Sequence, residues 1–303
     1  MKATLSLLIV LLLLCDSRIS VAGPFIPSRC VIYAPQFRQL TDTAKGTLFL
    51  RQQGIWGDLS KGFNSAGDRF YWSISTGGLI QFVEWENAML YLVGDYEMAA
   101  DQHSDIYFHP RGIFWTEGVM FGTKIGNTEF HTGYINRCHH DIDNLENNIV
   151  GAGEQRTLIY SSLLARSLWR DVTVAGIRSD LAAQFDYYVF KQDYLTPVPK
   201  ELPKTDAERI IASISGSAKF DLVHIGDAVG YARLNGEVTA FNRFETSTVD
   251  GRVEIGIQFF GEASAMNVYL GFESLQDDFS RPIPMNSHFV YLGFRFLGRN
   301  IAL

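Results

Sequence analysis

The densest group of chemistry-bearing side chains is Cys138-His139-His140-Asp141-Ile142-Asp143. Imidazole, thiolate and carboxylate all bind transition metals, and alternating aspartates place oxygens on one side of an extended segment, as Ca²⁺ needs. His139, His140, Asp141 and Asp143 are therefore the candidate ligands for Ca²⁺ or a transition metal. Their spacing matches no standard metal motif, and adjacent histidines in a strand point to opposite faces. The plainer reading is a polar rim or lumen segment bonded to its neighbours and to water.

Hydrolysis is the second chemistry these residues suggest. A serine nucleophile needs a base within hydrogen-bond reach and a group that orients the base. His131, His139 or His140 could be the base, Ser161 or Ser162 the nucleophile, and Asp141 or Asp143 the orienting carboxylate. Such a site would act on envelope lipid. Ser161 and Ser162 read as readily as ordinary strand serines.

The third candidate is a polar interior. Arg51, Arg69, Arg137, Arg166, Arg178, Arg233, Arg243, Arg252 and Arg295 fall in strand-like segments, with Glu117, Glu129, Glu237 and Glu254. Inside a barrel such charges either pair and plug the lumen or line a passage for small polar solutes. Arg233, Glu237, Arg243, Arg252 and Glu254 are the clearest lumen candidates, because each sits opposite an apolar face.

The elements that would position these groups are strands. Tyr231, Arg233, Asn235, Glu237, Thr239, Phe241 and Arg243 form one face of their segment, against Ala232, Leu234, Gly236, Val238, Ala240, Asn242 and Phe244. Val253, Ile255, Ile257 and Phe259 alternate with Arg252, Glu254, Gly256 and Gln258. Val290, Leu292, Phe294 and Phe296 do the same against Phe289, Tyr291, Gly293 and Arg295. Period two puts an apolar medium on one side and a polar one on the other. A membrane barrel turns its apolar face to lipid, whereas a soluble sandwich hides it.

Strand-like segments cover 47–56, 69–79, 88–98, 105–114, 117–124, 128–137, 156–168, 172–181, 184–192, 210–219, 220–225, 231–244, 252–261, 266–275 and 288–297. Gly126-Asn127 and Asp250-Gly251 are the sharpest turn signals, and 206–212 could begin a short helix. Two segments, 139–155 and 194–205, read as long loops; Pro197, Pro199 and Pro203 exclude a central strand from the second. Merging adjacent segments gives roughly 10–14 strands, in the range of bacterial barrels. Trp72, Trp115, Trp169, Tyr107, Tyr187 and Tyr188 are candidates for aromatic girdles at the lipid–water boundary.

The first residues speak to compartment. Lys2, the apolar run from Leu5 to Leu14 broken only by Ser6, and Ser20-Val21-Ala22 have the form of a cleaved secretory signal peptide over 1–22. The remainder, 23–303, reads as one β-barrel domain. The chain carries 26 Lys+Arg and 33 Asp+Glu for a formal charge of −7. Removing Lys2, Arg18 and Asp16 with the leader takes this to −8, which leaves no basic patch for nucleic acid. Beyond the leader no stretch approaches the ~20 apolar residues of a helical span. Cys30 and Cys138 form a candidate disulfide in an oxidising compartment.

The series Asp95-Tyr-Glu-Met-Ala99, Ile106-Tyr-Phe-His-Pro-Arg-Gly-Ile113 and Phe130-His-Thr-Gly-Tyr-Ile-Asn-Arg-Cys-His-His-Asp-Ile-Asp-Asn144 resembles an uncharacterised family of outer-membrane barrels from Gram-negative bacteria. The resemblance centres on residues 90–170. In that family a strand leads into a His motif with small polar residues, a second His and an Asp. The family's paired serines before the second His are replaced here by Arg137 and Cys138. The resemblance implies location and fold, with no agreed activity.

These readings converge on an all-β, antiparallel up-and-down transmembrane barrel in the outer membrane, in contact with outer-membrane lipid. Its expected function is structural or transport-like (porin-like). The alternatives are an envelope-lipid hydrolase inside a barrel and a soluble periplasmic β-sandwich that binds a ligand.

Overall fold

Apolar and polar residues alternate through long stretches of this chain, and a sheet that closes on itself satisfies that pattern without leaving an unpaired edge. The computed structural model describes residues 34–35, 48–49, 53–63, 72–85, 87–100, 110–141, 155–196, 200–201, 210–241, 246–262, 264–275, 287–298 and 301–302. Twelve antiparallel strands close into a barrel. They are β1 (Gln53–Gly62), β2 (Trp72–Trp85), β3 (Ala88–Ala100), β4 (Pro110–Ile125), β5 (Thr128–Asp141), β6 (Gln155–Val174), β7 (Ile177–Thr196), β8 (Ile210–Ile225), β9 (Ala228–Phe241), β10 (Thr246–Phe260), β11 (Ser264–Leu275) and β12 (Ser287–Gly298). Each pairs with its sequence neighbours, and β12 pairs with β1 through Arg295 opposite Asp58, which closes the ring. Four two-residue pieces add to these strands: Leu48–Phe49 against β2, Lys200–Glu201 against the end of β7, and Ala34–Pro35 paired with Ile301–Ala302.

The outside of the cylinder is apolar. Ile80, Phe82, Leu92, Ile214, Val238, Ile255, Ile257, Phe259, Leu270, Phe294 and Phe296 all stand exposed. The inside holds the polar partners of the same alternation. Arg233, Glu254, Gln258, Asn267 and Arg295 are buried, beside Tyr231, Tyr269 and Tyr291. Apolar outside and polar inside define a transmembrane β-barrel.

Connections alternate between two and three residues at one end and longer segments at the other. At Ala175-Gly176, both residues have positive φ (51° and 84°), the backbone a two-residue I′ hairpin demands. Gly126 and Gly226 open two further two-residue hairpins with a positive φ at the first central position, 62° and 58°. Elsewhere glycine makes room for a neighbour: Tyr269 lies opposite Gly293 and Tyr291 opposite Gly271. A Cβ on Gly293 would stand 2.2 Å from Cζ of Tyr269. Each tyrosine thus lies flat across a glycine on the adjoining strand, an arrangement that shields bare backbone in the lumen.

Several expectations need correction. Asp250-Gly251 is no turn; both lie inside β10, where Asp250 pairs across to Glu237 and Gly251 to Gly236. The helix start at 206–212 gives way to β8 from Ile210, because Ile210, Ala212 and Ser213 carry buried lumen and wall positions of a strand. Residues 110–114 and 117–124 belong to one strand, β4, since Trp115 and Thr116 continue the alternation without a break. Residues 172–181 are divided by the Ala175-Gly176 hairpin. The strand expected over 47–56 starts later, at Gln53, after the short Leu48–Phe49 piece.

Candidate functional site

Ser161 and Ser162 are adjacent in β6, yet they serve opposite sides of the wall. Ser161 pairs with Phe190 and Ser162 with Tyr188, so Val189 is left over as a β-bulge. Both serines are buried, at 1 % and 0 % exposure.

Ser162 faces the lumen. Its hydroxyl donates to Oδ1 of Asp186 at 2.6 Å and accepts from Nη1 of Arg137 at 2.8 Å. Nη2 of Arg137 donates to the same Asp186 oxygen at 3.0 Å, and Gln184 donates to the other. Gln184 in turn accepts from Nε of Arg166 at 2.9 Å. A hydroxyl held between a guanidinium and the carboxylate it neutralises is a structural member of a network rather than an activated nucleophile.

His131 also faces the lumen, on β5, but four register steps from Ser162: His131 pairs with Arg166, while Ser162 pairs with Ile135. Its Nδ1 lies 3.0 Å from the hydroxyl of Tyr91, and its Nε2 lies 3.7 Å from Glu129, which accepts from Nε of Arg170 at 2.9 Å. The imidazole is a lumen linker between β3, β5 and β6. Four positions along a strand span about 13 Å. His131 is thus beyond hydrogen-bond reach of Ser162.

His139, His140 and Asp141 end β5, their backbones paired to Phe114, Ile113 and Gly112 of β4. In register, His140 stands four residues beyond Asn136, the partner of Ser161. Asp143, Arg51, Arg69, Tyr107, Arg243 and Cys30 lie outside the described residues, and with Cys30 goes the proposed disulfide. Cys138 sits on the outward face of β5. Among the described residues no group of three or more His, Cys, Asp and Glu gathers as a metal ion would need.

Arg233, Glu237, Arg252 and Glu254 point into the lumen. Glu254 is the hub. It accepts from Nη1 and Nη2 of Arg295 at 2.9 and 2.7 Å and from Nε of Arg252 at 2.7 Å, with Nη1 of Arg233 3.8 Å away. Arg295 also donates to Asp58 at 2.7 Å, which ties the last strand to the first. Beside it, beginning at the paired Trp56 and Leu297, the residues Leu79, Met89, Tyr91, Val93, Met120, Ile135 and Leu164 complete an apolar core. Arg178 is different: it lies exposed beside the Ala175-Gly176 hairpin, paired with Asp171.

Glu117 overturns a sequence expectation. It faces outward, between Trp115 and Val119, not into the lumen. Across the wall it pairs with Asn136, and Asn136 pairs with Ser161. Nδ2 of Asn136 donates to Glu117 at 3.3 Å, and the Ser161 hydroxyl donates to Oδ1 of Asn136 at 2.8 Å. A hydroxyl, an amide and a carboxylate are thereby linked in one row beside the outward Trp115, Val119 and Tyr134. Sequence reasoning missed Asn136 and Asp186 and misplaced Glu117. The alternation Trp115, Glu117, Val119, Phe121 carries the signal that could have placed Glu117. Tyr188 likewise turns inward, bonded to Ser213 at 3.1 Å, whereas Trp115 and Tyr187 do face outward.

Fold and wall together define the class of this protein, a twelve-stranded transmembrane β-barrel with a filled lumen. Among solved structures it is similar to LpxR from Salmonella typhimurium, with a TM-score of 0.44 at 8 % identity over 81 % of this chain and 99 % of that one. It is also similar to outer membrane phospholipase A from Escherichia coli, with a TM-score of 0.42 at 11 % identity over 82 % and 92 %. Outer-membrane expressed OmpT of Vibrio cholerae gives a TM-score of 0.37 at 11 % identity over 86 % and 100 %. These likenesses concern the fold alone. No family model and no curated relative matches the chain.

Proposed function

We propose that this protein is a non-conducting barrel of a Gram-negative outer membrane, structural in role, whose working surface is its lipid-facing wall. The observation that carries this reading is the filled lumen. Met89, Tyr91, Met120, Tyr160, Ile135 and Arg233 are all fully buried inside the ring, on strands from both halves of the cylinder. A passage for polar solutes needs a continuous wet path, and side chains packed to this degree leave little room for one. Outer-membrane lipid is then the partner on the outside.

The purified mature chain, reconstituted in planar bilayers and in liposomes, tests this. The expected result is insertion with heat-modifiable gel mobility, but no discrete conductance steps and no swelling in small sugars. Stepwise conductance would restore the porin-like reading. A chain that stays soluble without detergent would restore the periplasmic one.

A second reading, an envelope-lipid hydrolase, is favoured by one observation: the Ser161 hydroxyl lies on the lipid side of the wall. Release of fatty acid from phospholipid micelles, abolished by Ser161→Ala, would support it.

A further inference from the structure

Charge on the lipid face of a barrel is costly in the apolar band and falls in cost toward its edges. Glu117 is eight residues from Ile125 at the short-turn end of β4. At ~3.3 Å per residue and a tilt near 40°, it stands ~20 Å above that end, close to the far edge of a ~25 Å apolar band. Here the wall meets lipid headgroups.

Its surroundings are specific. Trp115, two residues on along β4, shares the outward face and is 51 % exposed. Tyr96 pairs directly with Trp115 from β3, and Tyr134 of β5 lies diagonal to Glu117, both outward and exposed. Gly94 pairs with Glu117 on its other side. A Cβ built there would meet only a backbone oxygen, at 3.9 Å, so the wall has a notch beside the carboxylate. Asn136 and Ser161 anchor the carboxylate from behind through the row described above.

A carboxylate beside exposed aromatic faces is the recognition chemistry of an ammonium group, which gains both an ion pair and cation–π attraction. An anionic headgroup would be repelled by the same carboxylate. We propose that the notch over Gly94, formed by Glu117, Trp115, Tyr96 and Tyr134, binds the ammonium-bearing headgroup of a zwitterionic phospholipid. The inference rests on the membrane-embedded reading above and names the lipid that the wall would hold. The outward row is then a docking site, with Glu117 as the contact and Asn136 and Ser161 as positioning residues.

Native mass spectrometry of the full mature chain in detergent, titrated with phosphatidylethanolamine or with chain-matched phosphatidylglycerol, tests it. Wild type should retain phosphatidylethanolamine about tenfold more strongly than phosphatidylglycerol, and Glu117→Gln should lose about that factor. Trp115→Leu should lose a fewfold share with Glu117 intact. Equal retention of both lipids by wild type, or unchanged retention by Glu117→Gln, overturns the proposal. If Glu117→Gln fails to fold, Trp115→Leu decides, and unchanged retention by that variant overturns it. Heat-modifiable mobility of each sample separates the two failures: a folded barrel in detergent without lipid preference sinks only the headgroup site, whereas a chain soluble without detergent sinks the membrane reading itself.

Discussion

The lumen is filled in two different ways. On the side of β1–β6, Leu79, Met89, Met120, Ile135 and Leu164 pack as they would in a soluble core, with the His131–Glu129–Arg170 and Arg137–Ser162–Asp186 links set beside them. On the side of β9–β12, Glu254 gathers Arg233, Arg252 and Arg295, and Asp58 and Glu273 complete the charge. Both are closed to water on the outside by the same kind of lipid-facing wall. The contrast shows that the wall dictates only which residues face inward, not how they are satisfied. An apolar filling is tolerant, because dispersion and burial are non-directional. An ionic filling is demanding, since every desolvated charge must meet a partner with good geometry.

That contrast can be broken first at its hub. Glu254→Ala leaves three lumen arginines without their shared carboxylate, and breaking a buried ion cluster in this way costs about 3–5 kcal/mol. The urea midpoint of the micelle-bound barrel should fall steeply, and faster migration in unboiled samples should be lost. A shift no larger than that of a surface variant would mean that water reaches the ionic half. A smaller effect is expected in the apolar half: Ile135→Val removes one methylene from a fully buried position, a loss of about 0.5–1.5 kcal/mol. A value near that for Glu254→Ala would erase the distinction between the halves. The smallest effect should come from Arg178→Ala, which deletes an exposed pair with Asp171 worth about 0.2–1 kcal/mol. Its contribution should fade in high salt, while those of the lumen clusters should persist.

The same contrast explains what could be read from the sequence. The ionic half was legible: in β9, β10 and β12 apolar residues alternate cleanly with Arg233, Glu237, Glu254 and Arg295, and period two is the direct signature of a two-sided wall. The apolar half was not, because Met89, Tyr91 and Val93 face the lumen while Leu90 and Leu92 face lipid. When both media are filled with apolar atoms, alternation loses its contrast. Glu117 was misplaced for the reverse reason. Strand charges read as lumen charges by default, and only its flanking Trp115 and Val119 betray the other side. Asp250-Gly251 has the composition of a hairpin, yet β10 extends through it because Asp250 and Glu237 share the buried lumen face. Of the candidate site, Ser161 and Ser162 were singled out from the sequence, and their opposite directions follow from ordinary period-two alternation, but the bulge at Val189 opposite them leaves no local mark.

That bulge has a consequence for how the chain tolerates change. Val189 and Phe190 both face outward in succession, so β7 is written in two reading frames. Below the bulge the inward positions are even, at Gln184, Asp186 and Tyr188. Above it Lys191 reaches the carbonyl of Ile210 on β8. Loss of Val189 would rejoin the frames as a plain alternation, with Tyr188 inward, Phe190 outward and Lys191 inward, and would exchange no side chain between lumen and lipid. Along a strand without a bulge a single insertion or deletion is a phase error; at Val189 the error is already present and already compensated. The strand can therefore shift register at this point, and length changes in this wall are expected to accumulate around Val189 rather than along the uninterrupted strands β9 and β10.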